Sequence, residues 1–272
     1  MCKLLAASTS GYYKWIHSHP SARAVSNILV DKHIKIIFSH HHKRYGYRRI
    51  YKEIIKLNIL VSKNRVRRRM IKLNLYAVVT KKYKTTTKSC AQSRYANNIL
   101  DQDFQADYLN HKWVSDITQM KINGRKLYLA VIVDLCSRMV IGWSMSNRMT
   151  ASIVIGALNM AMRNRGYPKG VILHSDRGSQ YISTSYQKLI THYQLKCSMS
   201  AKGCCYDNAA CESFFATLKK ELIYATTFSD VQAAKNSIFQ YIEAYYNRVR
   251  LHSSIDYYSP LEFELKLLNI AA

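Results

Sequence analysis

The run Leu127-Tyr128-Leu129-Ala130-Val131-Ile132-Val133-Asp134 is too continuously apolar to form the edge of a sheet, so it reads as a buried β-strand. Its neighbours have strand texture too. Lys112-Trp113-Val114-Ser115-Asp116-Ile117-Thr118 precedes it, with Asn123-Gly124 as a hairpin signal between the two, and Met139-Val140-Ile141-Gly142-Trp143-Ser144-Met145 follows as a third strand.

Beyond this meander the periodicity changes. A helix is predicted from about Thr150 to Asn164, ended by Gly166-Tyr167-Pro168, and Gly170-Val171-Ile172-Leu173-His174-Ser175-Asp176 forms a short strand that runs into Arg177-Gly178. A helix over about Ser183 to His192 and a further short strand follow, then a helix bearing Glu212 and a helical tail from about Ser229 to Asn247. Three meandering strands, a helix, a strand, a helix and a strand describe an α/β fold, a ribonuclease-H-like mixed sheet with flanking helices.

The preceding residues have another character. The formal charge is +25, and the first hundred residues hold 22 Lys and Arg against two acids, Asp31 and Glu53. Such a balance calls for a polyanionic partner and makes this third the electrostatic hook. Residues 1–20, with Ser8-Thr9-Ser10-Gly11 before an aromatic cluster, look like a helical remnant. Ser21 is placed to cap a helix through Phe38. Two short amphipathic helices come next, one from Arg44-Tyr45-Gly46-Tyr47 through Ile55 and a second capped by Ser62, separated by a break near Asn58. This is the outline of a basic all-α helix-turn-helix-like domain. Lys63, Arg65, Arg67, Arg68 and Arg69 on its second helix, with Arg48 and Arg49 on the first, are candidate phosphate contacts; a solvated basic helix without a groove role is the alternative. The expected divisions are 1–20, 21–80, a basic linker over 81–105, a core over 106–225 and a helical extension over 226–272.

Seven cysteines, an odd number with no CxxC, argue against a disulfide framework and for a reduced cytoplasmic setting. His40-His41-His42 lacks a paired Cys motif, which disfavours zinc. No apolar run approaches membrane-spanning length, and no signal-peptide pattern opens the chain.

The acids carry the chemistry. Asp116 lies inside the first strand, flanked by apolar residues, and Asp176 at the carboxyl end of the fourth, where open α/β sheets hold ligands. A half-buried Asp in a strand is costly unless paired or metal-bound. Hard oxygen donors suit magnesium or manganese, and two such ions would serve an in-line phosphoryl displacement. A structural Asp bonded to backbone is the other reading of each. Glu212 falls early in a helix whose cap is Asp207 or Asn208, and at helical spacing Asn208, Glu212, Phe215 and Lys219 share one side. A solvated charged face would give the same pattern.

Trp113-Val114-Ser115-Asp116-Ile117-Thr118, His174-Ser175-Asp176-Arg177-Gly178-Ser179-Gln180-Tyr181 and Tyr206-Asp207-Asn208-Ala209-Ala210-Cys211-Glu212-Ser213-Phe214-Phe215 with Lys219 resemble the catalytic motifs of the DDE transposases of bacterial insertion sequences. The likeness is closest to the OrfB product of the IS-three family, relatives of retroviral integrases, and the 35 residues between Asp176 and Glu212 match that group. Ser10-Gly11-Tyr12-Tyr13-Lys14-Trp15, Tyr45-Gly46-Tyr47-Arg48-Arg49-Ile50 and the stretch from Tyr241 through Phe263 resemble its end segments. The resemblance implies that Asp116, Asp176 and Glu212 hold two magnesium or manganese ions, and that Lys219 and Asn208 contact the transposon end. It implies a metal-dependent nicking that frees a 3′-hydroxyl, then attack of that hydroxyl on another phosphodiester without a covalent enzyme intermediate. It also implies double-stranded DNA as partner, homo-oligomers on DNA, an upstream-frame helix-turn-helix and leucine-zipper partner, and a bacterial cytoplasmic, nucleoid-associated location.

Arg177 is expected to orient loop or phosphate. Tyr241, Tyr245 and Tyr246 form a stripe read as core packing, with base stacking as the alternative, and His252 either touches DNA or caps a helix. Cys204 stands where the family usually has Asn, Asp256 where it has Gly and Thr9 where Arg is frequent. A non-catalytic DNA-binding regulator of the frameshifted full-length transposase is the rival function.

Overall fold

The structure is a computed structural model that describes residues 8–78, 96–101, 103–200 and 208–271, together with residues 2, 4 and 6. Residues 81–95 and 102 of the linker expected over 81–105, Cys204 and the cap candidate Asp207 lie outside the described residues. The chain divides into two compact units, Met1–Val78 and Val79–Ala272.

The first unit is all helical: α1 (Thr9–Ile16), α2 (Ala22–His40), α3 (Tyr47–Lys56) and α4 (Lys63–Lys72). Ser8, Ser21 and Ser62 each accept a hydrogen bond from the backbone N–H three residues on, the arrangement expected of Ser caps. Asn58 turns the chain between α3 and α4 with φ 58°, a left-handed conformation that Asn tolerates. Val30, Ile34 and Phe38 of α2, Ile50 and Ile54 of α3, and Val66 and Met70 of α4 are buried together with Tyr45.

The second unit is built on one sheet of five strands in the order β3-β2-β1-β4-β5. Here β1 is Lys112–Ile122, β2 Arg125–Asp134, β3 Val140–Ser146, β4 Ile172–Ser175 and β5 Lys196–Met199. The first three form the expected antiparallel meander, and β4 and β5 add on in parallel beside β1. This is the ribonuclease-H-like mixed sheet. The apolar run in β2 is buried because both faces are covered. Its odd-numbered residues face a core shared with α7 (Ala209–Leu218) and α8 (Val231–Gln240). Its even-numbered residues face a core shared with α5 (Ala151–Asn164) and α6 (Thr184–His192).

After α7 and α8 the helices widen into π turns, Lys219–Ile223 and Tyr241–Tyr246. The turns meet through Tyr241, whose hydroxyl donates to Glu221 Oε2 at 2.8 Å. Arg250 closes on the same carboxylate, with Nη2 donating to Oε1 at 2.8 Å and Nε to Oε2 at 3.0 Å. Both partners are buried, and the ion pair raises the Arg250 pKa above its ordinary value despite burial. Tyr241 and Tyr246 are core residues. His252 lies 3.1 Å from an Arg250 guanidinium nitrogen and edge-on to Tyr246.

The helical tail continues beyond Asn247. A last helix, α9 (Pro260–Ala271), lies within the helical extension expected over 226–272, and its start is written in the chain. Ser259 Oγ accepts from Glu262 N at 3.3 Å, and Glu262 Oε2 accepts from Ser259 N at 2.8 Å, a reciprocal capping box with Pro at the first helical position. Glu264 on α9 takes both Arg165 guanidinium nitrogens, and Arg165 also stands 3.7 Å from the buried Asp134.

Asp256, the position at which Gly is usual, has φ 51°. A side chain there carries steric strain that Gly escapes. Asp256→Val is expected to lose about 1–2 kcal/mol of stability and Asp256→Gly to lose nothing, as read from urea midpoints.

Candidate active site

Strand pairing brings the first two acids together. In the parallel β1/β4 ladder the last paired residues are Ser115 and Ser175, so Asp116 and Asp176 follow side by side where β4 ends. Alternation along β1 places Val114 and Asp116 on the face covered by α7, and Trp113 and Ser115 on the other. Asp116 Oδ1 accepts from the Ile117 N–H at 2.7 Å, and Asp176 Oδ1 from the Gly178 N–H at 2.9 Å. A Cβ at Gly178 would stand 3.0 Å from both Asp176 Oδ1 and Gln180 Oε1, so a side chain there crowds the Asp176 carboxylate.

Burial and like charge act together on the pair. Loss of hydration, then the neighbouring Asp176 and to a smaller extent Glu212, push Asp116 up to about 8. Burial also raises the Asp176 carboxyl. Two neighbouring carboxylates are hard oxygen donors of the kind that can hold a divalent cation.

Glu212 is exposed in the first turn of α7. Its helix is moored beside Asp116: Asn208 Nδ2 donates to the Ser115 carbonyl at 3.0 Å, and Cys211 Sγ lies 3.4 Å from the Val114 carbonyl. Among the described residues, no three His, Cys, Asp or Glu side chains lie close enough to cage a metal. Asp116 and Asp176 are neighbours by strand register, and the Glu212 charge reaches Asp116. Lys219 opens the π turn, half-buried; desolvation lowers its pKa and the attraction of Asp116 opposes that. Phe215, read on the same stripe, is in the core.

Other expected contacts have intramolecular partners. Asn208 is buried against β1. Arg177 Nε donates to the Ser200 carbonyl at 2.7 Å, tying the turn after β4 to the end of β5, which is the loop-orienting role. On α4, Arg65 donates to Asn27 Oδ1 and Ser26 Oγ at 3.0 and 2.8 Å, and Arg69 forms a bidentate pair with Asp31. These two guanidinium groups fasten α4 to α2. Lys63, Arg67 and Arg68 are exposed, as is Arg48, whose Nε donates to the Tyr47 hydroxyl at 3.3 Å. Arg49 lies 5.4 Å above the Tyr45 ring.

Sequence reasoning passed over Ser115, Tyr181 and Cys211. Ser115 Oγ and the Tyr181 hydroxyl are 3.0 Å apart and buried. Only their positions, each within five residues of an acid, hinted at such a role.

Three family models match: an integrase core domain over residues 108–205, a second integrase core domain over 193–260, and an HTH-like domain over 26–83. Transposase InsF for insertion sequence IS3A of Escherichia coli (strain K12) is 40% identical over 270 residues, covering 98% of this chain and 94% of its own. The insertion element IS600 uncharacterized 31 kDa protein of Shigella sonnei is 38% identical over 272 residues, with all of both chains covered. Among solved structures, the HTLV-2 integrase catalytic core domain in complex with magnesium is similar at 21% identity and a TM-score of 0.46, over 59% of this chain and 99% of that one.

Proposed function

Because the chain belongs to the InsF-type transposases of the IS3 family of insertion sequences, we propose that Asp116, Asp176 and Glu212 are the acids with which it cuts and joins DNA. The protein is a transposase with an integrase core and an HTH-like domain, a polynucleotidyl transferase acting in DNA transposition and integration. The observation that carries the assignment of the acids is the β1/β4 register, which sets Asp116 beside Asp176 with the helix of Glu212 moored next to them.

The donor chemistry suits magnesium or manganese: two neighbouring carboxylates whose ionisation burial opposes, with Glu212 on the helix beside them. Asp116 and Asp176 would supply the fixed donors and Glu212 the third. A pair of such ions would activate an attacking oxygen and stabilise a leaving one. The protein's own part is to hold the scissile phosphate. Lys219, half-buried and close enough to feel Asp116, offers a cation to a phosphate oxygen beside the acids. Gly178 leaves the Asp176 carboxylate uncrowded. The order of events proposed is hydrolytic nicking to a 3′-hydroxyl, then in-line attack by that hydroxyl on a second phosphodiester.

For grip on the duplex we assign Lys63, Arg67, Arg68 and Arg48, which are exposed, ahead of Arg65 and Arg69, which are engaged with α2. Work as a homo-oligomer on DNA, a helix-turn-helix and leucine-zipper partner from an upstream frame, and a place at the bacterial nucleoid in the cytoplasm complete the proposal. Replacing Arg67 and Arg68 with Ala is expected to weaken duplex binding uniformly across sequences and to reduce the slope of log affinity against log salt by about 2.

The test is incubation with a labelled duplex carrying the element's terminal repeat and manganese. A nicked strand and a joined product are expected. Hydrolysis without joining would identify a nuclease, and binding without either product would support a DNA-binding regulator of the frameshifted full-length transposase.

A further inference from the structure

Three segments that are remote in sequence converge on Ser115. It precedes Asp116 in β1 and is paired with Ser175, the residue before Asp176. Its hydroxyl is bonded to the hydroxyl of Tyr181, five residues after Asp176, at 3.0 Å. Its carbonyl accepts from the side-chain amide of Asn208, four residues before Glu212, at 3.0 Å. All four side chains or backbone groups involved are buried: Ser115 is 1% exposed, Ser175 2%, Tyr181 1% and Asn208 7%.

We propose that Asn208 and Tyr181 are positioning residues that set Glu212 and Asp176 against Asp116 through a shared junction at Ser115. This rests on the reading of the three acids as metal ligands. Asn208 stands at the N-cap of α7, where a side-chain oxygen ordinarily accepts from the helix, yet it makes no such bond. Its amide instead crosses to β1, and its Oδ1 is buried without a partner among the described residues. What the arrangement supplies is a fixed offset between strand and helix. The Cys211 thiol, next to Glu212 in sequence and placed against the Val114 carbonyl, provides a weaker second mooring on the same strand. Tyr181 plays the matching part on the other face. Its hydroxyl is fully buried and bonded to Ser115, and burial raises its pKa well above the ordinary value.

Loss of a side chain that orients ligands typically weakens metal affinity about 10–100-fold without removing a ligand. Asn208→Ala in the full chain is therefore expected to need about 10-fold or more manganese for half-maximal thermal stabilisation, while metal-free affinity for an end duplex stays within about twofold. Tyr181→Phe, which keeps the packed ring, is expected to move the manganese midpoint in the same direction, and it keeps the question open should Asn208→Ala not fold. Unchanged midpoints in both variants would overturn the proposal. So would a loss of duplex affinity at an unchanged midpoint, because Asn208 would then be a DNA contact. An absence of manganese stabilisation in the wild type, with Asp116→Asn as the control, would instead remove the metal reading beneath it.

Discussion

Asp116→Asn is expected to abolish strand nicking and joining, by about 10³-fold or more, and at the same time to raise the melting temperature of the metal-free protein. The two effects have one cause. Asp116 is held where its charge is unwelcome, first by loss of hydration and then by Asp176. Its folded pKa of about 8 lies above the ordinary carboxylate value, so folding favours the protonated form. The stability associated with that proton is complete below pH 4 and is lost as pH rises towards 8. Asn cannot ionise and escapes the loss. The gain over wild type should be slight near pH 4, grow through neutrality and level off above about pH 8, with roughly 5–6 kcal/mol as the upper bound set by the rise from the ordinary value to about 8. Divalent cation should reverse the ranking, stabilising the wild type more as pH rises, because a ligand must shed its proton to bind. Calorimetry from pH 5 to 9 with and without manganese checks both halves. A variant that loses activity and melts lower at every pH would mean that Asp116 is a structural carboxylate.

The second large effect is expected far from the acids in sequence. Glu221 and Arg250 form a buried pair with two-pronged geometry, and Tyr241 satisfies the carboxylate further. Removing either charge strands the other in the core. Arg250→Ala and Glu221→Leu should each lower stability by about 3–5 kcal/mol. The double variant Glu221→Leu/Arg250→Met should regain much of that, since a buried pair replaced by apolar groups is often close to neutral. Urea midpoints across this cycle measure the coupling directly. Equal losses in the single and double variants would show that packing, rather than charge, is what the pair contributes. The same cluster explains the closing segment: His252 is engaged with Arg250 and Tyr246.

Local signals were legible. Ser21 and Ser62 cap the helices they are expected to cap, because a hydroxyl before an amphipathic run has few better uses, and Ser183 does the same for α6. The continuous apolar texture of β2 disclosed a sheet covered on both sides. Its register did not follow, since which β1 residue meets Ser175 is decided by packing across 60 residues of chain, not by either strand alone. Charges were the hardest to read. Arg65 and Arg69 look like Arg67 and Arg68 in the sequence, and only the fold of α2 onto α4 turns one pair inward. Asn208 looked like a cap or a DNA contact and is a cross-brace to β1. The capping box at Ser259 and Glu262 is a local signal of the same kind, written in Ser259-Pro260-Leu261-Glu262.

A π turn takes up more residues per revolution than the α-helix on either side of it, so the chain beyond residue 219 is out of phase with a helical wheel drawn from residue 209. Wheel positions copied across that boundary point to the wrong side. For anyone redesigning this segment, the turn works as a spacer: deleting one residue would restore regular winding and swing Glu221 by roughly a quarter revolution, away from its guanidinium partner.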